Sequence, residues 1–225
     1  MVRTSLKQSD WRPRRENGMM YGMRRTRPAP NADAPCLVDV ARGELQLARQ
    51  VPSPNCDDRP AGMVPELIVL HGISLPPGEF GGPWIDRLFL NELPRDAHPY
   101  FESLADLRVS THLLIRRDGE VVQYVPFHRR AWHAGVSSWQ GRERCNDYSI
   151  GVELEGTDAE PYESAQYAIL ARVVAALCQA YAGLAPERIV GHSDVAPGRK
   201  TDPGPAFDWP RFHSLVRFEI EVAPG

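Results

Sequence analysis

The sequence predicts a single α/β (α+β) domain in which a mixed central β-sheet is flanked by helices. Apolar runs typical of buried strands, a long amphipathic helix pattern and the intermixing of the two along the chain support this fold class. With 225 residues, of which 42% are hydrophobic and 24% charged, the chain is long enough for one substantial core.

The first elements are predicted to be a helix, a buried strand and a short second helix. Apolar residues between positions 37 and 50 follow helical spacing, although Gly43 interrupts it. Leu67–Ile73 is a continuous apolar run, as expected of a strand covered on both faces. A Gly/Pro-rich loop over 74–83 follows, and residues 84–90 predict a helix with Pro83 near its first turn.

The second half is predicted to open with a β-hairpin. Residues 111–117 and 120–125 have strand character and are joined by Asp118 and Gly119, two residues that tolerate positive φ. The remaining predicted elements are a strand over 149–155, a helix over 163–182 whose wide apolar face should lie against the sheet, a strand over 187–195 and a closing helix over 209–222.

Composition excludes several function classes. The net charge of −3 does not favour nucleic acid as a partner, and no apolar run is long enough to span a membrane. No apolar segment of a secretory signal is present, so we expect a cytoplasmic protein. Its four cysteines have no metal-like spacing and should be reduced there. We expect no obligate protein partner.

Residues 1–36 differ from the rest of the chain. This segment lacks an apolar run, is rich in proline near its end and is strongly basic; its cationic residues are Arg3, Lys7, Arg12, Arg14, Arg15, Arg24, Arg25 and Arg27. We predict a disordered basic extension over 1–36 and the folded domain over 37–225.

Two histidines and one aspartate are candidate metal ligands. His71 and His192 each end an apolar run and precede a Gly/Pro/Ser-rich loop, and Asp202 lies in a rigid Pro/Gly turn. Three protein ligands with an open position are typical of catalytic zinc. The alternative for His71 taken alone is a structural role, in which a backbone carbonyl satisfies the ring.

Several long motifs give the chain a family resemblance. They occupy residues 69–71, 74–84, 113–120, 131–138, 141–147, 151–158 and 199–205. In this order they resemble the type 2 N-acetylmuramoyl-L-alanine amidases, above all the cytosolic members that recycle 1,6-anhydro-muropeptides. The similarity covers about residues 37–216 and implies the sheet architecture shared with peptidoglycan recognition domains.

The resemblance implies a role for each site residue. His71, His192 and Asp202 match the family's Zn²⁺ ligands, Glu153 its catalytic glutamate and Lys200 its catalytic lysine. Strand alternation alone does not separate Glu153 from Glu155, because both should point to the same face. Lysine in a polar loop is also commonly a surface residue. The family has asparagine after the first histidine, whereas this chain has Gly72.

Substrate contacts are expected from two arginines and from aromatic residues. Arg108 and Arg144 match arginines of the family's cleft and suit the carboxylates of a peptide stem. Tyr100, Trp132 and His133 are candidates to line the sugar or peptide groove, although Trp132 is equally suited to core packing.

The sequence therefore predicts a zinc amidase that cleaves the bond between (1,6-anhydro-)N-acetylmuramic acid and L-alanine. Two alternatives are an exported amidase acting on intact cell wall and a peptidoglycan-binding module without catalysis. The chain has a suitable residue at all three ligand positions and at the positions of Glu153 and Lys200, which argues against a module without catalysis.

Overall fold

The structure is a computed structural model that describes residues 36–104 and 106–222. The predicted disorder of the basic extension concerns residues that lie, except for Cys36, outside the described part. No helix among the described residues combines the length and apolar character needed to cross a bilayer.

The elements follow one another in a β-rich first half and a mixed second half. The strands are β1 (Val38–Asp39), β2 (Glu44–Leu45), β3 (Arg49–Gln50), β4 (Cys56–Asp58), β5 (Leu67–Ile73), β6 (Leu113–Ile115), β7 (Val121–Gln123), β8 (Arg129–Ala131), β9 (Ser138–Trp139), β10 (Arg142–Glu143), β11 (Ser149–Glu155) and β12 (Ile189–Gly191). The α-helices are α1 (Trp84–Phe89), α2 (Ser164–Ala180), α3 (His192–Val195) and α4 (Trp209–Val222). Short 3₁₀ helices cover Pro99–Ser103, Cys145–Asp147 and Pro186–Arg188.

The central sheet has the strand order β12-β5-β11-β6-β7-β3 and is mixed, as predicted. Strands β12, β5, β11 and β6 run parallel, while β7 pairs antiparallel with β6. Residues Glu153 on β11 and His71 on β5 are register partners. Side chains at partnered positions of neighbouring strands share a face, so this register brings the two residues together.

The two faces of the sheet have different covers. Helices α2 and α4 pack on one face, where the core includes Ile68, Leu70, Val152, Leu170, Val174, Phe212 and Val216. The opposite face has two covers. The chain between β8 and β11, together with α3, covers one part, through Leu67, Val69, Ala134, Cys145, Tyr148 and Val195. Helix α1 covers the other part, through Ile85, Leu88, Phe89, Leu114 and Val122. His71 and Glu153 belong to this second face, because they alternate with the residues buried under α2.

The predicted helix over 37–50 is wrong. This segment forms the antiparallel pair β1–β2 and then β3, which joins the central sheet beside β7. Gly43 has φ +67°, and a Cβ there would lie 2.4 Å from the His128 ring. Buried Gln123 accepts a hydrogen bond from Leu45 N at 2.8 Å and donates to Gly43 O at 2.9 Å. These tertiary bonds outweigh the helical spacing.

The hairpin and the last strand differ from the prediction in detail. In the hairpin, Gly119 has φ +87° but Asp118 does not have positive φ; its carboxylate instead accepts from Glu120 N at 3.0 Å. The last strand ends at Gly191, and the chain turns into α3 with His192 as its first residue. Helix α2 and helix α1 confirm the two predicted helices at these positions.

We predict that Gln123→Leu lowers the free energy of unfolding by about 1–3 kcal/mol, because it leaves the buried Leu45 N–H unpaired and removes one of the two hydrogen bonds to Gly43 O, the other coming from Phe127 N. Urea unfolding followed by circular dichroism measures the change. The matched control is Gln179→Leu at an exposed position of α2, which should stay within about 0.5 kcal/mol of the parent. Equal stability of the two variants would contradict the role given to Gln123.

Candidate metal centre

Three electron-pair donors converge at the carboxyl end of β5 and the start of α3. His71 Nδ1 lies 2.9 Å from His192 Nδ1 and 3.3 Å from Asp202 Oδ2, and His192 Nδ1 lies 3.1 Å from the same oxygen. His71 ends the buried part of β5, and Asp202 is held near α3 by a hydrogen bond from Ser193 N to its carbonyl at 3.0 Å.

The protonation states suit metal binding. Burial, together with the nearby His192, lowers the pKa of His71 to about 4, although Asp202 acts in the opposite direction. Burial alone raises the pKa of the Asp202 carboxyl, but hydrogen bonds with His192 and His71 outweigh it and hold that pKa well below its usual value. A neutral imidazole and an ionised carboxylate are the forms that bind a divalent cation.

The donor set fits zinc. Imidazole nitrogen and carboxylate oxygen are common zinc ligands, and bonds of about 2.0–2.1 Å in a tetrahedron separate ligand atoms by about 3.3 Å. The observed separations of 2.9–3.3 Å are close to this value. Among the described residues, these three form the group of potential metal ligands whose donor atoms lie close to one another.

Glu153 lies next to the three donors with one of its two carboxylate oxygens unpaired among the described residues. Its Oε1 is 4.0 Å from His71 Nδ1, and its Oε2 is buried without a hydrogen-bond partner among the described residues. Burial and repulsion by Asp202 raise the pKa of Glu153 well above its usual value, and the charge of Lys200 partly offsets the rise. An unpaired carboxylate oxygen beside a cavity is available to an incoming proton donor.

Glu155 has a different environment, which separates the two glutamates that alternation could not. It is 2% exposed, accepts from Arg116 Nη1 at 3.2 Å and also accepts from Gly81 N at 2.7 Å. Its carboxylate is therefore satisfied within the protein and anchors the end of the 74–83 loop.

Most of the predicted site residues line one cavity of about 560 Å³. The predicted site residues that line this cavity are His71, Tyr100, Trp132, His133, Glu153, His192, Lys200 and Asp202. Trp132 is oriented by a bond from its Nε1 to Asp57 Oδ1 at 3.1 Å, and Tyr100 is 44% exposed.

The two predicted substrate arginines lie outside this lining. Arg108 stands between Leu107 and Val109, which do line the cavity. Arg144 lines a neighbouring groove with Val136 and Arg199, and its Nε is 2.9 Å from Asp147 Oδ2. The structure therefore places Arg108 at the edge of the cavity and Arg144 in an adjacent groove.

Tyr162, which sequence reasoning did not identify, explains Gly72. A Cβ at Gly72 would lie 2.5 Å from the Tyr162 hydroxyl, which donates to Pro203 O at 2.9 Å. The phenol is buried and also lies against Gly156. The space beside residue 72 is thus filled by Tyr162, directly behind the loop that carries Asp202.

Comparison with known proteins gives consistent matches. Residues 61–205 match the family model described as N-acetylmuramoyl-L-alanine amidase. The chain is 63% identical over 175 residues to the 1,6-anhydro-N-acetylmuramyl-L-alanine amidase AmpD of Salmonella typhimurium (strain SL1344), which covers 78% of this chain and 93% of that relative.

Solved structures agree with this similarity. A crystal structure of a selenomethionine AmpD derivative matches with a TM-score of 0.77 and 62% identity, over 80% of this chain and 99% of that chain. AmpDh3 from Pseudomonas aeruginosa, in complex with anhydromuramic pentapeptide, matches with a TM-score of 0.51 and 29% identity, over 69% of this chain and 61% of that chain.

We predict that Gly72→Ala lowers the free energy of unfolding by about 1–3 kcal/mol, because the added methyl group overlaps the Tyr162 hydroxyl. In a Tyr162→Phe background the same substitution should cost at least about 0.5 kcal/mol less. Urea unfolding of the two single variants and the double variant gives the coupling. Strictly additive effects would show that Tyr162 does not restrict residue 72.

Proposed function

Because this chain belongs to the N-acetylmuramoyl-L-alanine amidase family, we propose that it is a zinc-dependent cytoplasmic enzyme that recycles anhydro-muropeptides. The bond cleaved is the amide between the lactyl group of 1,6-anhydro-N-acetylmuramic acid and L-alanine. The similarity to AmpD spans 93% of that relative, and AmpDh3 was solved with an anhydromuramic pentapeptide. Both support this substrate class.

One observation carries the proposal: three donor atoms converge within 3.3 Å beside a carboxylate oxygen to which no described residue is hydrogen-bonded. His71, His192 and Asp202 would hold the ion. Zinc, when bound, supplies Lewis acidity, which polarises a carbonyl and lowers the pKa of a water molecule to about 7.

Glu153 serves as the general base. Its free Oε2 accepts a proton from the attacking water as the water oxygen bonds to the carbonyl carbon. The raised pKa strengthens Glu153 as this base, and the leaving amine, which is a stronger base still, then takes the proton from it as the C–N bond breaks. Water thus adds across the amide, and the carboxylate ends in its starting state.

Lys200 stabilises the negative charge that develops on the carbonyl oxygen. Its side chain lines the same cavity, and its charge acts on both His71 and Glu153. A cation fixed beside a developing oxyanion contributes a few kcal/mol to transition-state stabilisation.

Substrate contacts follow from the shape of the cavity. Tyr100 and Trp132 offer aromatic surface to the sugar or the lactyl–alanine unit. Arg108 at the edge of the cavity and Arg144 in the adjacent groove would bind stem carboxylates. This arrangement extends the substrate site from the cavity into the groove.

We predict that Asp202→Ala and Glu153→Gln separate binding from chemistry. Asp202→Ala removes a ligand, so Zn²⁺ content and amidase activity should fall together. Glu153→Gln should keep stoichiometric Zn²⁺ while kcat falls by at least about 100-fold, because the proton acceptor is lost. Metal analysis and steady-state kinetics on the purified variants measure both.

The matched control is Glu221→Gln, at an exposed position of α4, which should keep both metal and turnover. Asp202→Ala with full Zn²⁺ occupancy would remove this residue from the ligand set. A fully active Glu153→Gln variant would rule out its role as general base.

We further predict that the purified protein releases the peptide from soluble anhydro-muropeptide and that a chelator abolishes this release, which Zn²⁺ then restores. Mass spectrometry of the products identifies the bond that is cleaved. Intact sacculi are the comparison substrate, and faster release from sacculi would favour the cell-wall alternative. Activity that persists in a zinc-free sample would refute the metal-dependent reaction.

A further inference from the structure

Each candidate histidine ligand has a second ring nitrogen, and both of these nitrogens contact the same two-residue segment. His71 Nε2 lies 2.9 Å from His133 Nδ1. His192 Nε2 lies 3.2 Å from Ala134 O. A bond at the outer nitrogen decides which nitrogen of a neutral imidazole keeps its lone pair.

His71, His133 and Ser149 form a series of hydrogen bonds, and Ser149 at its outer end sets their direction. Ser149 Oγ donates its single proton to Cys145 O at 2.6 Å, so it can only accept from His133 Nε2, 3.2 Å away. His133 therefore carries its proton on Nε2, and a neutral ring leaves Nδ1 as an acceptor facing His71.

Metal binding by His71 requires the same direction of hydrogen bonding. If His71 binds through Nδ1, its proton is on Nε2, and this N–H must donate to His133 Nδ1. Ser149 at one end of this series of hydrogen bonds and the ion at the other thus require the same tautomer, with the proton on Nε2, in both His133 and His71. A carbonyl can only accept, so Ala134 O likewise places the proton of His192 on Nε2 and leaves Nδ1 free for the ion.

The segment is itself held in place. Asn146 Oδ1 accepts from His133 N at 3.2 Å and from Ala134 N at 2.8 Å. Gly151 on β11 leaves room for the His133 ring, since a Cβ there would lie 2.5 Å from it. Asn146 thus fixes the backbone of the segment, and the His133 ring lies against Gly151 of β11.

We propose that His133 and Ala134 are positioning residues that orient both histidine ligands of the metal centre, His133 through its ring and Ala134 through its carbonyl. This inference rests on the proposed function, because it needs an ion bound at His71, His192 and Asp202. It gives His133 a role other than lining the groove.

The test combines metal affinity with direct observation of the tautomers. His133→Phe keeps a flat ring but removes the acceptor for His71, so we expect Zn²⁺ affinity, measured by competition with a chromophoric chelator, to fall about 10–100-fold. His133→Asn places an amide oxygen near the position of Nδ1 and should recover most of the affinity. His213→Phe, on α4 beside Trp209, is the matched control and should bind Zn²⁺ like the parent.

Long-range ¹H–¹⁵N spectra of the zinc-loaded parent protein should show His71, His133 and His192 all protonated on Nε2. This measurement needs no substitution, so it decides the question even if His133→Phe does not fold. Unchanged affinity in a folded His133→Phe variant, or a proton on His133 Nδ1, would overturn the inference alone. A parent protein that binds no Zn²⁺ would overturn the proposed function as well.

Discussion

Two imidazole nitrogens and a carboxylate oxygen, all able to bind a cation, are held within 3.3 Å of one another. Such atoms repel one another unless a proton or a cation lies between them. The fold must therefore hold them there. Three features of the fold hold these atoms in place: the parallel register of β5 and β11, the turn into α3, and the backbone hydrogen bond from Ser193 to Asp202. Burial and the charge of Asp202, a member of this cluster, raise the pKa of Glu153 in turn.

Much of the fold follows from periodicity. The buried run of β5, the alternation in β11 and the wide apolar face of α2 are local signals, and each led to the correct element. The 37–50 segment has no such local determinant. Its conformation depends on Gln123, far along the chain, and on the close approach of Gly43 to His128. Helical spacing of apolar residues carries no information about these contacts.

In the candidate site, too, local signals were predictable from the sequence and long-range contacts were not. Histidines at the ends of apolar runs predicted a metal site, and the structure brings His71 and His192 together with Asp202 as potential ligands. Strand alternation could not separate Glu153 from Glu155, because their difference lies in Arg116, which pairs with only one of them. Nor could it identify the contacts behind the histidines, since a backbone carbonyl and a serine hydroxyl leave no distinctive spacing.

The anchoring of Gly81 by Glu155 has a mechanical consequence. Glu155 is two positions from Glu153 on the same strand, and Arg116 also donates to Gly82 O at 3.1 Å. One end of the 74–83 loop is thus coupled to the strand that presents the carboxylate. The residues of the loop before Gly81 do not take part in these two contacts, and several of them line the cavity. Movement of that portion would change the width of the cavity rim while Glu153 keeps its distance from His71.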